Sequence, residues 1–396
     1  MKIYKVFNKC NVYTALWVVY YLQGAVYERG SIISQLLLAT LMVFSLIRYI
    51  EVLKTYKIPQ VLKVLNIFLL IVSFYGIIGL IVLRGSRYDP FSFWKVFLIS
   101  FLPIYVYYGF TKEGYINNKW LTTWFFIFLG SVLISYYGQQ RALLNYYESV
   151  NSDRVDFVNN VGYRFVALIP LVVFLRKIPI KLASLAVISV FLLLSFKRGA
   201  ILIGGISILV FYFRELKNYK IKKSYLYFVA VLFIIFIAVF YSNNLINNEY
   251  ANDRLAATLE GDTSGRNELY GFFWQHILNE QSFIRLFFGY GAMGTRQLNN
   301  DGMMAHNDWL ELGIDMGMLG VIVYLIFWIS FYIDIKKNIN NKQSQTCLIL
   351  LFIILFGKTL ISMSYSDVLI YLSCVFGYSL AVGRKHKLDN KQFYNI

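Results

Sequence analysis

The chain has 396 residues, 58% of them hydrophobic, with a mean hydropathy of +0.56; an ordinary soluble domain is excluded, since about 45–50% of its residues are apolar. A net charge of +17 would fit nucleic acid only if the basic residues shared one folded face. They fall instead in short runs between apolar segments, so no nucleic-acid partner is expected. Cys10, Cys347 and Cys374 are scattered and fit neither a metal site nor a disulfide framework.

A membrane span needs about 20 mostly apolar residues. By that measure the chain is an all-α integral membrane protein with about twelve transmembrane helices. They lie near 11–27, 32–50, 61–83, 91–110, 119–138, 157–175, 179–195, 199–214, 225–242, 307–333, 346–364 and 366–383. The first lacks a small-residue cleavage site and is followed by another span, unlike a cleaved signal peptide. No soluble domain or internal repeat interrupts the series, so 1–396 reads as a single polytopic domain. The 34 Phe, 32 Tyr and 7 Trp can supply interfacial belts as well as packing.

Cytoplasmic loops retain basic residues, and this bias orients the chain. With both termini cytoplasmic, the inner segments collect Lys2 to Lys9, Arg48 to Lys63, Lys112 and Lys119, and Arg176 to Lys181. They continue with Arg214 to Lys223, Lys336 to Lys342 and Arg384 to Lys391. The outer segments hold about half as many. One long segment, 243–305, then lies outside the membrane. Within it Leu269, Phe272, Phe273 and Ile277 recur at helical spacing. That pattern fits a helix lying along the membrane surface or packed on the tops of the spans.

Four motifs fall on this outer face. Ser195-Phe-Lys-Arg-Gly199 makes the turn between spans seven and eight, and Ser264-Gly265-Arg266 precedes the surface helix. Gly289-Tyr-Gly291 follows it. The last, His306-Asn307 with Leu310, Gly313, Gly317 and Gly320, opens span ten. This last run resembles the His-Asn-x-x-Leu signature of bacterial O-antigen polymerases and ligases. In that family a Ser-Arg-Gly-like turn, a loop arginine and the histidine follow in the same order. The resemblance covers roughly 155–335, and the first 150 residues are similar only as generic spans. Ser195 is displaced from the family's Ser-Arg-Gly and is given no role. The glycines also fit a second reading, because Gly313-x-x-x-Gly317 is a small-xxx-small packing pattern.

The resemblance implies an enzyme: a glycosyltransferase whose donor glycan rides on a polyprenyl pyrophosphate. The leaving group is then a lipid pyrophosphate. Guanidinium suits it because it stays charged and presents a planar fork to phosphate oxygens. Arg198 and Arg266 are assigned that catalytic role. Arg164 and Lys358, charged within spans, are expected to face a wet cavity and bind substrate, together with Lys197 and Asn307. His306 is the expected base for the acceptor hydroxyl, with Glu311, or alternatively Asp308, to orient it. No carboxylate cluster at metal-ligand spacing and no phosphate-binding Gly-rich loop is evident, so a metal-independent reaction without cofactor is expected.

The leading reading is a polysaccharide polymerase (O-antigen, capsule or exopolysaccharide) joining lipid-linked repeat units on the outer face of the bacterial inner membrane. The alternative is an O-antigen ligase that transfers the glycan to a lipopolysaccharide core. A lipid-linked glycan flippase is the third reading, disfavoured by the lack of a repeat in the two halves. Expected partners are the polyprenyl-pyrophosphate-linked oligosaccharide and membrane lipids, with a flippase and a chain-length regulator as candidate protein partners.

Overall fold

A computed structural model describes residues 8–26, 31–82, 90–150, 159–216, 265–299, 302–338, 341–365 and 370–383. The described chain is helical, with no strand among these residues. The first half comprises α1 (Lys9–Val26), α2 (Ile32–Thr55), α3 (Gln60–Val82), α4 (Pro90–Lys112) and α5 (Asn118–Val150). It continues with α6 (Gly162–Val172), α7 (Ile178–Leu194) and α8 (Arg198–Phe211), the last extended by a π-helical turn, Tyr212–Leu216. After 265 come α9 (Arg266–Asn279), α10 (Phe283–Phe288), α11 (Gly294–Leu298) and α12 (Asp308–Asp315). The remainder is α13 (Gly317–Ile333), α14 (Lys342–Ile361) and α15 (Ile370–Gly383).

Among the described residues, seven helices are long and apolar enough to cross a membrane: α2, α3, α4, α5, the extended α8, α13 and α14. Helices α6, α7 and α15 are shorter and also apolar. A helix apolar on all sides needs protein or lipid around it, and only helices or closed barrels satisfy the backbone in hydrocarbon. The outward faces agree: Leu70, Phe74 and Ile81 on α3 are 59%, 62% and 72% exposed. The molecule is therefore an integral membrane protein.

The core is organised around α15, almost every residue of which is buried. It lies along α4 so closely that a Cβ at Gly377 would stand 2.6 Å from the Ile104 carbonyl oxygen and from the Tyr108 nitrogen. Polar pairs then mark one end of the bundle. Lys9 meets Glu113 at 2.8 Å, Arg48 bridges Glu51 and Glu113, and Lys181 meets Glu215 at 3.2 Å. The Val61 amide donates to Asp334, and Lys112 donates to the Ala381 carbonyl. Starts of α1, α3 and α7 thus share this end with the finishes of α2, α4, α8, α13 and α15. The helices alternate up and down, and the 195–199 turn is carried to the opposite end.

Several predicted boundaries hold closely. The tight turn at Lys197-Arg198 is real, with α7 ending at Leu194 and α8 starting at Arg198. The predicted span 225–242 and the predicted segment 243–305 up to residue 264 lie outside the described residues, so the seven long helices are a count of the described residues alone. The predicted span 307–333 is two helices, because the chain breaks at Met316-Gly317. Gly317 has φ +63°, and a Cβ there would lie 2.5 Å from the Gly289 nitrogen and the Phe287 carbonyl oxygen. Gly317 is thus a backbone crossing, not a helix-packing contact. Arg164, expected about eight residues deep, sits in the first turn of α6, which starts only at Gly162.

Candidate functional site

The 195–199 turn is fastened to the segment that enters α6. Ser195 is fully buried, donates to the Leu192 carbonyl at 2.7 Å and accepts from the Lys197 amide. Its own carbonyl takes the Asn159 amide at 3.0 Å. A Cβ at Gly162 would stand 2.4 Å from the Ser195 hydroxyl, and one at Gly199 would stand 2.4 Å from the Tyr163 hydroxyl and 2.8 Å from Ile361. Ser195 is therefore part of the turn's construction. Lys358, buried in the last turn of α14, lies over the Tyr163 ring at 4.7 Å, so the finish of α14, the start of α6 and the start of α8 are together.

Arg266 joins them from α9. It is the first residue of that helix and donates to the Ile361 carbonyl at 2.6 Å. A cation at a helix start opposes the macrodipole, while one at a C-terminal carbonyl is favoured. The predicted apolar face of α9 is real and turned inward. Phe273 is fully buried and packs with Ala305 and Ile314, flanked by Leu269 and Ile277. Phe272, the fourth residue of the pattern, is 37% exposed. The helix lies on α12, so the packing alternative holds.

Helix α12 is the hub beneath His306. Asn307 caps it, its side-chain oxygen accepting from the Trp309 and Leu310 amides at 3.0 and 3.2 Å, as an Ncap residue does. Three buried carboxylates tie α12 to its neighbours. Asp308 accepts from the Tyr324 hydroxyl at 2.6 Å and the Ser364 amide at 2.8 Å. Glu311 accepts from the Thr295 hydroxyl and the Ala305 amide, each at 2.7 Å, and Asp315 accepts from the Thr295 amide at 2.8 Å. The far end of α12 is closed by the Gly289-Tyr-Gly291 motif, whose Tyr290 and Gly291 amides donate to the Ile314 and Asp315 carbonyls at 2.8 and 2.9 Å. Glycine is required at 289, where φ is +76° and a Cβ would meet the Gly317 nitrogen at 2.5 Å.

His306 sits just before this cap with φ +53°. Phe196 in the 195–199 turn and Met293 beside the Gly-x-Gly motif are the other described non-glycine residues at positive φ. Such conformations cost of order 1–3 kcal/mol and tend to gather at functional sites. Partial desolvation, then Arg266, Lys197 and Arg296, push the His306 imidazole below its usual 6.5. The Tyr270 hydroxyl donates to the His306 carbonyl at 3.2 Å and lies within hydrogen-bonding reach of Arg266 and Asn307. Burial raises the Tyr270 phenol above its usual value, so it stays protonated near neutrality.

The fold thus brings Lys197 and Arg266 to His306, and joins Arg198 and Lys358 to them through Gly199, Tyr163 and Ile361. The Arg164 guanidinium lies over the Tyr21 ring of α1 at 5.6 Å, with one terminal nitrogen buried and, among the described residues, without a hydrogen-bond partner. Glu311 and Asp308 spend their oxygens on the protein scaffold, and no carboxylate among the described residues holds the His306 ring. Sequence reasoning passed over Arg296. Its Nε is buried without a hydrogen-bond partner among the described residues, and it lines a cavity of about 230 Å³ with Lys95, Glu311 and Tyr365. Only its place between Gly291 and His306 could have marked it.

Because Glu311 holds two buried donors, Glu311→Ala is expected to destabilise the fold, at about 1–3 kcal/mol for each donor left unsatisfied. A melting curve of the purified protein in detergent checks this. An unchanged curve would show that Thr295 and Ala305 find other partners.

No curated protein matches the chain significantly. A family model described as O-antigen ligase matches residues 183–325. That stretch starts within α7 and ends within α13, and it contains Lys197, Arg198, Arg266, Arg296, His306, Asn307 and Glu311. Over residues 183–325, somewhat more than a third of the chain, the protein is thus similar to the O-antigen polymerase and ligase superfamily.

Proposed function

We propose that the protein transfers a glycan from a polyprenyl-pyrophosphate carrier to an acceptor hydroxyl, at the end of the bundle that bears His306, as a polysaccharide polymerase. The observation that supports this most is the gathering of Lys197, Arg266 and Arg296 around His306 inside the matched domain. The acceptor oxygen attacks the anomeric carbon while His306 takes its proton. The bond from that carbon to the carrier's phosphate oxygen breaks, and the pyrophosphate leaves with the electron pair.

Charge accumulates on that pyrophosphate as the bond breaks. Helices α8 and α9 both start at an arginine, Arg198 and Arg266, and neither start carries a side-chain cap. Amides at a helix start attract phosphate through their dipoles, and a fixed guanidinium beside them reinforces the effect. Preorganised cations of this kind stabilise charge where it develops. Lys358 and Lys197 extend the positive field, and Arg164 is proposed to hold substrate with the guanidinium nitrogen that has no protein partner. In this reading Asn307 and Glu311 serve the substrate by fixing the segment that carries His306.

The family domain supports polymerases and ligases equally, and the lipid-linked and surface glycans of a deletion strain separate them. Single repeat units left on the carrier are expected. Long chains stranded on the carrier would make the protein a ligase, and failure of outward delivery would make it a flippase. The orientation that goes with the proposal puts both termini in the cytoplasm of a bacterial cell and His306 on the outer face of the inner membrane. Transfer by purified protein in the presence of chelator is expected to proceed, and its loss would assign a metal to the reaction.

A further inference from the structure

At the end of the bundle opposite His306 lies a cavity of about 450 Å³. Its charged lining is Arg176, Lys181, Arg214 and Lys342 with one carboxylate, Glu215. That carboxylate is already engaged by Lys181 at 3.2 Å, and Arg214 is turned to Gln345 at 2.8 Å. Arg176 and Lys342 are exposed at the rim. Lys181 and Lys342 also occupy the first turns of α7 and α14, where the helix dipole repels cations. Among the described residues the cavity lining therefore carries a surplus of positive charge.

We infer that this cavity binds the phosphodiester headgroup of an acidic phospholipid. Basic pockets between membrane helices are suited to such headgroups. A lipid is favoured over free phosphate by an exposed apolar stripe on α8 that ends beside Arg214, one of the residues lining the cavity. Leu202, Ile206, Leu209 and Phe213 recur at helical spacing, are 57%, 44%, 59% and 58% exposed, and end one residue from Arg214. That stripe suits acyl chains running along the helix beneath a headgroup held by Arg214, Arg176 and Lys342. The headgroup would brace the finishes of α6 and α8 and the starts of α7 and α14, the helices whose other ends carry Arg164, Lys197, Arg198 and Lys358. This inference does not depend on the glycosyl-transfer proposal.

The test is a titration of the purified full-length protein in neutral detergent with short-chain phosphatidylglycerol, followed by melting temperature. Phosphatidylcholine of the same chain length and inorganic phosphate are the other arms. Phosphatidylglycerol is expected to raise the melting temperature saturably, with little effect of phosphatidylcholine. Removing two rim cations in Arg176→Gln/Lys342→Gln is expected to weaken the apparent affinity about 25-fold, at about a factor of five for each charge near the surface. Both side chains are exposed and outside the Lys181–Glu215 pair, so folding should survive. An equal response of the double variant, or an equal effect of phosphatidylcholine, would overturn the inference. So would saturation by inorganic phosphate alone, which would make the cavity a site for a soluble anion.

Discussion

His306→Ala is expected to lower glycosyl transfer by about 10²–10⁴-fold, the usual contribution of a positioned acid–base group, while lipid-linked donor still binds. Among the described residues the ring accepts none of the hydrogen bonds that build the site; it is the His306 carbonyl that takes the Tyr270 hydroxyl. The left-handed backbone at 306 disfavours alanine somewhat, so His306→Asn, which tolerates that conformation and lacks a base, is the companion variant. Donor binding, melting temperature and transfer are measured on each. Full transfer by both would reduce His306 to a structural residue.

The same residue sets an expected pH profile. In the proposed mechanism the neutral imidazole is the base, and desolvation with Arg266, Lys197 and Arg296 lowers its pKa below 6.5. Activity therefore falls only as pH drops through a value below 6.5. Removing a cation in Lys197→Gln or Arg296→Gln makes protonation easier, so that limb should move up toward 6.5. A limb that stays in place in both variants would assign it to another group.

Gly317→Ala is expected to have the largest structural effect. The left-handed conformation alone costs roughly 1–2 kcal/mol for a residue with a Cβ. The added atom would also lie 2.5 Å from backbone atoms of Gly289 and Phe287, neither of which can rotate aside. Parting these segments would break the amide hydrogen bonds that close α12 and so loosen the support beneath His306. The contrast is Gly313→Ala, where the added Cβ meets side-chain tips alone, Ile277 at 3.3 Å and Val321 at an ordinary 3.7 Å. Melting temperature and membrane yield are expected to drop sharply for Gly317→Ala and little for Gly313→Ala. Equal behaviour would return both glycines to the helix-packing role that their spacing implies.

Apolar length and charge by themselves determined that this chain is a helical membrane protein, because hydrocarbon admits few other solutions for the backbone. They also placed the Lys197-Arg198 turn, since two adjacent cations interrupt a long apolar run. The motif order marked Arg266 and His306, and the resemblance it carries agrees with the matched domain. Hydropathy could not show the break at Gly317, because residues on both sides of it are apolar and only the crossing with Gly289 demands it. Nor could spacing tell what Glu311 does. One helical turn from Asp308 and Asp315, it could point to His306 or into the protein. The choice was made by Thr295 and Ala305, which arrive from other segments with donors that need acceptors. Arg296 became part of the site for the same reason: the fold of 289–299 around α12, and not its own neighbours in sequence, carries its charge to His306.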